Sequence, residues 1–113
     1  MENIAKIFQS LDDETRLRIL ALLLEEDELC VCDLVAVLQM PQSTVSRQLS
    51  LLKNAGWLKD RREGVWILYS ITRSLGPIQQ FLLPVLRNFL PSSEIANNDR
   101  ERLGSLSNEN RCA

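Results

Sequence analysis

The run Cys30-Val31-Cys32-Asp33-Leu34-Val35-Ala36-Val37-Leu38, then Gln39-Met40-Pro41, then Gln42-Ser43-Thr44-Val45-Ser46-Arg47-Gln48-Leu49 decides the fold. Its first part carries Leu34, Val37 and Leu38 at helical spacing, so Cys30 to Leu38 reads as a short helix. Gln39-Met40-Pro41 breaks it, and Pro41 suits the first position of a following helix, where a missing N–H costs nothing. That helix runs from Gln42 to Asn54 with Val45, Leu49 and Leu52 on one face, and Ala55-Gly56 ends it. After Gly56 the period changes. Trp57 to Arg62 and Val65 to Ile71 are strand-like and flank Glu63-Gly64, which predicts a hairpin. Two short helices, a tight turn and a hairpin describe a winged helix-turn-helix: a mainly α chain with a small β-hairpin.

Outward from this centre the pattern stays helical. Glu2 to Gln9 carries Ile4, Ile7 and Phe8 on one face; Leu11-Asp12-Asp13 offers an N-cap for a second helix over Glu14 to Leu24; and Glu25-Glu26-Asp27-Glu28 closes that helix as a solvated loop. Gly76-Pro77 opens a further helix with Ile78, Phe81, Leu82, Val85, Leu86 and Phe89 apolar, which Pro84 should kink or loosen. Together Ile4, Ile7, Phe8, Ile78, Phe81, Leu82, Val85 and Phe89 offer more apolar helix face than a small core needs, which predicts a homodimer with a helical interface. Beyond Pro91 the composition turns to Ser, Asn, Glu and Arg. The expectation is one domain over residues 1–91 and a polar, disordered tail over 92–113.

With 45% apolar and 25% charged residues, the chain should be largely folded. No apolar run is long enough to span a bilayer and no basic segment precedes one near Met1, so a cytoplasmic protein with reduced cysteines and no membrane partner is expected. The net charge of −2 hides an asymmetry. Residues 1–40 carry three positive and nine negative side chains, whereas residues 41–73 carry six positive and two negative. A local basic stripe is what phosphate binding requires.

The second helix of the pair suits a DNA major groove. Gln42, Ser43, Thr44, Ser46, Arg47 and Gln48 lie at its start, and no acid occurs between Gln42 and Gly56. Small polar residues at a helix start are more often caps than base readers, but a purely structural helix would mix acids into its outer face. Gln and Arg can make bidentate contacts to base edges, and Ser and Thr can serve bases or phosphates. Arg61 and Arg62 near the hairpin tip would lie on flanking phosphates or the minor groove.

Cys30 and Cys32 are soft ligands directly upstream of this reader, in a chain without histidine. At about 3.6 residues per turn they would project about 200° apart in regular helix, so sharing one ion should require the first turn to unwind or tilt. The competing reading is that one of the pair is simply core, since cysteine is among the most buried residue types. Cys112 is a candidate third ligand on the tail.

Glu28-Leu29-Cys30-Val31-Cys32-Asp33-Leu34, Ser43-Thr44-Val45-Ser46-Arg47-Gln48-Leu49-Ser50-Leu51-Leu52 and Gly56-Trp57-Leu58 resemble the ArsR/SmtB family of metal-sensing transcriptional repressors, over about residues 1–90 in motif order. The first string is similar to the thiol box of the arsenic- and cadmium-sensing branches. The resemblance implies a homodimer built on the first and last helices, bound to double-stranded operator DNA and released by metal. The chain departs from the pattern at three points. Val35 stands where the similar arsenic-sensing pattern has a third cysteine, residues 1–29 contain no cysteine, and no histidine is present for a zinc-type site. The resemblance then favours As(III) or Sb(III) as inducer, thiophilic and tolerant of low coordination number. A Cd(II)- or Pb(II)-responsive repressor and a thiol redox sensor on the same scaffold are the alternatives. An enzyme is disfavoured: no histidine can act as base and no oxyanion loop adjoins Cys30.

Overall fold

A computed structural model describes residues 1–106 of the chain. In chain order they form α1 (Glu2–Ser10), α2 (Glu14–Glu25), β1 (Leu29–Cys30), α3 (Val31–Leu38), α4 (Gln42–Asn54), β2 (Leu58–Glu63), β3 (Trp66–Ile71), α5 (Pro77–Phe89) and α6 (Glu94–Leu106). The winged helix-turn-helix is thereby established, mainly helical with a small antiparallel sheet. Among the described residues no helix is long and apolar enough to cross a membrane.

The local chemistry of the chain explains most boundaries. Asp13, in extended conformation, caps α2 by accepting the Arg16 N–H at 3.0 Å, a contact worth about 1 kcal/mol. Gln39 closes α3 in the left-handed region (φ 56°), so the turn into α4 is tight. α5 runs from Pro77 to Phe89 as one helix through Pro84.

The sheet has one strand more than the hairpin expected. Its order is β1-β3-β2, with Leu29 opposite Tyr69 and Cys30 opposite Leu68. A two-residue strand carries too little periodicity to be read in isolation. The hairpin turn also sits one residue later than expected: Glu63 pairs with Trp66, and Gly64-Val65 makes the turn. Gly64 has φ 61° and Val65 does not share its positive sign, the pattern of a turn with glycine at its first central position.

The core lies where α2, α3 and α4 converge under the base of the hairpin, with Ile19, Leu34, Val37, Val45, Leu49, Leu52 and Trp57 fully buried. Trp57 brings a polar handle into it and satisfies that handle there. Its Nε1–H donates to Ser10 Oγ at 2.9 Å, and the Ser10 hydroxyl donates onward to the Ile7 carbonyl.

Two expectations are corrected here. Residues 94–106 are not a disordered tail but α6, packed on α2 and α3 with Ala96, Asp99 and Leu103 buried. Composition misleads because the helix is held mainly by polar contacts: Arg18 grips Asp99 through two hydrogen bonds of 2.9 and 2.8 Å, Arg100 reaches Glu25 at 2.7 Å, and Arg102 donates to the Val37 carbonyl at 2.6 Å. The domain therefore continues past residue 91. Ile7, expected at a dimer interface, is 4% exposed and belongs to the chain's own core. Ile78 and Leu82 also pack partly against that core, and Ile4 is half-buried. Phe8, Phe81, Val85 and Phe89 remain exposed, at 52%, 82%, 50% and 69%.

Candidate metal centre and nucleic-acid interface

The thiol pair is built by a change of secondary structure between its two members. Cys30 is the last residue of β1 and the cap of α3, with extended backbone (φ −82°, ψ 162°), whereas Cys32 lies in the first turn of the helix. The two Sγ atoms meet at 2.9 Å. The expected 200° divergence does not arise because Cys30 is outside the helix. No unwinding is needed to bring the sulfurs to one point.

Asp33 completes the group, and the sequence reading missed it. Its backbone N–H donates to Cys30 Sγ at 3.3 Å while its Oδ2 accepts the Cys30 N–H at 3.1 Å. This is a capping box in which cysteine stands where serine or threonine is usual, and the C-x-x-D spacing was its available signal. Cys30 Sγ, Cys32 Sγ and an Asp33 carboxylate oxygen all lie within 4.8 Å of one another, a set with the ligand types and spacing to hold one thiophilic ion. Cys112 lies outside the described residues.

The centre is mechanically joined to two neighbours. Through β1 it is hydrogen-bonded to β3, and so to the wing formed by β2 and β3. Through α3 it leads by a three-residue turn into α4. A side-chain link runs parallel to the first: Arg61 on β2 forks onto Glu28, with both bonds at 2.6 Å, and also reaches Glu63 at 2.9 Å. Each partner holds the other's charge, so the Glu28 carboxyl is lowered by the Arg61 hydrogen bond and the guanidinium is raised.

On α4 the residues proposed to face DNA divide by burial. Gln42, Ser43 and Arg47 are exposed, Thr44, Ser46 and Gln48 are half-buried, and Val45 and Leu49 point inward as the spacing requires. Gln48 is oriented from behind: its Oε1 accepts from Arg16 Nη1 at 2.7 Å, and Arg16 is itself anchored on the Ser10 and Gln9 carbonyls. That holds the Gln48 amide in one orientation, with its NH2 left to donate. Arg47 and Arg62 make no ion pair among the described residues, whereas Arg61 makes two. The two hairpin arginines thus differ: Arg61 is paired with Glu28 and Glu63, and Arg62 is in no ion pair among the described residues.

Comparison with known proteins fits this geometry. The profile described as "bacterial regulatory protein, arsR family" matches residues 13–59, from the cap of α2 into β2. An uncharacterized HTH-type transcriptional regulator of Methanocaldococcus jannaschii is 47% identical over 70 residues, covering 62% of this chain and 79% of that one. The chain belongs to the ArsR family. The arsenical resistance operon repressor of Escherichia coli is 48% identical over 67 residues, 59% of this chain and 57% of the repressor. A cadmium resistance transcriptional regulatory protein CadC homolog of Staphylococcus aureus is 44% identical over 69 residues, 61% of this chain and 60% of its own length. This ArsR-family chain thus spans less than two thirds of those two metal-resistance relatives. Among solved structures, the homodimeric winged helix-turn-helix DNA-binding domain Mb0332 of Mycobacterium bovis superposes with a TM-score of 0.66 at 27% identity, over 82% of this chain and 83% of that domain. As an ArsR-family member the chain is a transcriptional regulator, and no enzymatic family is indicated.

Proposed function

We propose that this protein is a homodimeric repressor that binds operator DNA through α4 and the wing and is released when As(III) or Sb(III) engages Cys30 and Cys32. The observation that carries the reading is the meeting of two sulfurs at the joint between the wing sheet and the helix that precedes the DNA reader. Two cysteine sulfurs with a carboxylate nearby form a soft set suited to a thiophilic ion of low coordination number, and the E. coli relative named for arsenical resistance supports the choice of arsenic.

The chain's own residues suggest how release works. Cys30 Sγ is at once a ligand and the acceptor that caps α3. An ion held by both sulfurs would reset their spacing, now 2.9 Å, to the wider one that two metal–sulfur bonds need, and would so shift the first turn of α3 relative to β1 and re-aim α4 and the wing with it. A repressor moves from mostly bound to mostly free only if the inducer prefers the released state by about 5 kcal/mol.

Dimerisation through Phe8, Phe81, Val85 and Phe89 would set two copies of α4 about 34 Å apart, one turn of DNA, on an inverted repeat. The test is selection of a duplex from a random library by the intact protein, then anisotropy titration of that duplex with and without arsenite under reducing conditions. Release by arsenite or antimonite at concentrations where Cd(II), Pb(II) and peroxide are inactive is expected. Release by cadmium or lead alone, or by peroxide alone, would shift the assignment to that signal.

The arginines give a graded expectation on the same duplex. Arg47→Ala should cost about 1–3 kcal/mol of specific binding if its fork reads a base. Arg62→Ala should lower the slope of log affinity against log salt by about one, on any sequence. Arg61→Ala should change that slope far less, because Glu28 and Glu63 already hold its charge. Equal slopes for the two hairpin variants would contradict this division.

A further inference from the structure

Arg16, in the first turn of α2, uses its side chain on two other helices. Its Nε–H donates to the Ser10 carbonyl at 2.8 Å and its Nη2 to the Gln9 carbonyl at 3.1 Å, both at the end of α1. Its Nη1 donates to Gln48 Oε1 on α4 at 2.7 Å. A guanidinium has donors only, so the Gln48 amide can face it with its oxygen alone. The Gln48 NH2 makes no hydrogen bond among the described residues, where no unpartnered side-chain nitrogen or oxygen is buried, so that group meets solvent. Round α4, Gln48 lies between exposed Arg47 and buried Leu49, about 100° from each. The clamp is itself held at both ends. Trp57, three residues past α4, donates to Ser10 Oγ at 2.9 Å, so the contacts run from α4 through Arg16 and Ser10 back to the exit of α4.

We propose that Arg16 is a positioning residue that makes Gln48 a reader of guanine, rather than adenine, at one base pair of each operator half-site. This rests on the reading of the chain as an operator-binding repressor and adds to it the base that one side chain of α4 recognises. Adenine shows the major groove an acceptor, N7, beside a donor, N6, and glutamine ordinarily meets both with its NH2 and its oxygen. Here the oxygen already accepts from a cation, which draws its electron density away from a second donor. Guanine shows two acceptors, N7 and O6, and the NH2 that remains carries two protons to meet them. Thymine shows a single acceptor, O4, beside a methyl group, and engages one of the two. The placement of Arg16 agrees with such a role. A cation in the first turn of a helix is disfavoured by the helix dipole, so Arg16 brings no gain to α2 itself, and its side-chain bonds all serve α1 and α4.

Selection from the random duplex library, run on the intact protein and its variants side by side, reads the base preference directly. Wild type should prefer guanine to adenine about tenfold or more at one position of each half-site. Gln48→Ala should lose that preference there and at no other position. Gln48→Glu keeps an acceptor for Arg16 but brings no donor to the groove, so the preference should pass to cytosine, whose N4 donates. Arg16→Met frees the amide oxygen, and guanine and adenine should then be bound within about twofold of each other. An Arg16 that only supports the fold would, when replaced, weaken binding to every sequence alike and leave the preferences as they were. Arg16→Met also gives up the bonds to α1, a loss that thermal melts by circular dichroism register. Should it fail to fold, Gln48→Glu, which keeps those bonds, decides the question. Unchanged preferences for Gln48→Ala, or adenine chosen by wild type at the position that variant affects, would overturn the proposal and leave the repressor reading standing. So would a folded Arg16→Met that still prefers guanine tenfold. Failure of the wild-type protein to select any duplex would sink both.

Discussion

Cys30→Ser and Cys32→Ser should each leave operator binding within a few-fold of wild type and abolish its release by arsenite. The two halves of this expectation have separate physical origins. Serine is a stronger helix cap than cysteine, so the Cys30→Ser hydroxyl can still accept the Asp33 N–H and α3 should keep its DNA-bound geometry. A hydroxyl is a poor ligand for a thiophilic ion, however, and losing one of two sulfurs removes most of the roughly 5 kcal/mol by which the inducer must prefer the released state. Cys30→Ala separates the roles further. It should also fail to respond, but with a loss of stability of about 1 kcal/mol from the missing cap. Anisotropy titrations with arsenite decide the first point and urea melts the second. Normal release of either serine variant at wild-type arsenite concentrations would place the sensing site elsewhere.

Asp99→Ala should destabilise the fold by about 3–5 kcal/mol, a large share of the stability of a domain this size. Asp99 is 1% exposed and takes both bonds of the Arg18 fork, whose side chain is 13% exposed. Removing the carboxylate strands a guanidinium that water cannot easily reach, and it cuts a buried ion pair between α6 and α2. The double variant Arg18→Met/Asp99→Leu should recover most of the loss, because the cost arises from the unpaired charge rather than from any large net gain of the pair. Urea unfolding monitored by circular dichroism measures both. A midpoint for Asp99→Ala within error of wild type would show that α6 is not part of the cooperative unit.

Much of the molecule was legible residue by residue. A cap within Leu11-Asp12-Asp13, the break at Gln39–Pro41, the inward set Val45, Leu49 and Leu52, and the change of period after Gly56 each depend on neighbours within a turn or two of helix. Such signals survive in a one-dimensional string. α6 did not, because its composition is that of a solvated tail and its main anchor, Arg18, lies 81 residues from Asp99. Asp33 was overlooked for a different reason. Its role depends on Cys30 standing just outside the helix, and one residue of boundary decides that.

The amino-acid sequence by itself therefore determined the winged helix-turn-helix, the presence of a thiol pair beside the reader, and the basic stripe over residues 41–73. All follow from short-range periodicity, turn chemistry and counting. Only the tertiary structure decided that β1 pairs with β3, which pulls Cys30 out of the helix and turns two diverging sulfurs into neighbours at 2.9 Å. It alone decided that Glu28 occupies Arg61 while Arg62 stays available, and that Ile7 is core while Phe81 and Phe89 are surface. The reason is common to all three. A side chain's type and spacing fix what it can do, but which charge, sulfur or apolar face is already taken depends on partners that are distant in sequence and adjacent only after folding.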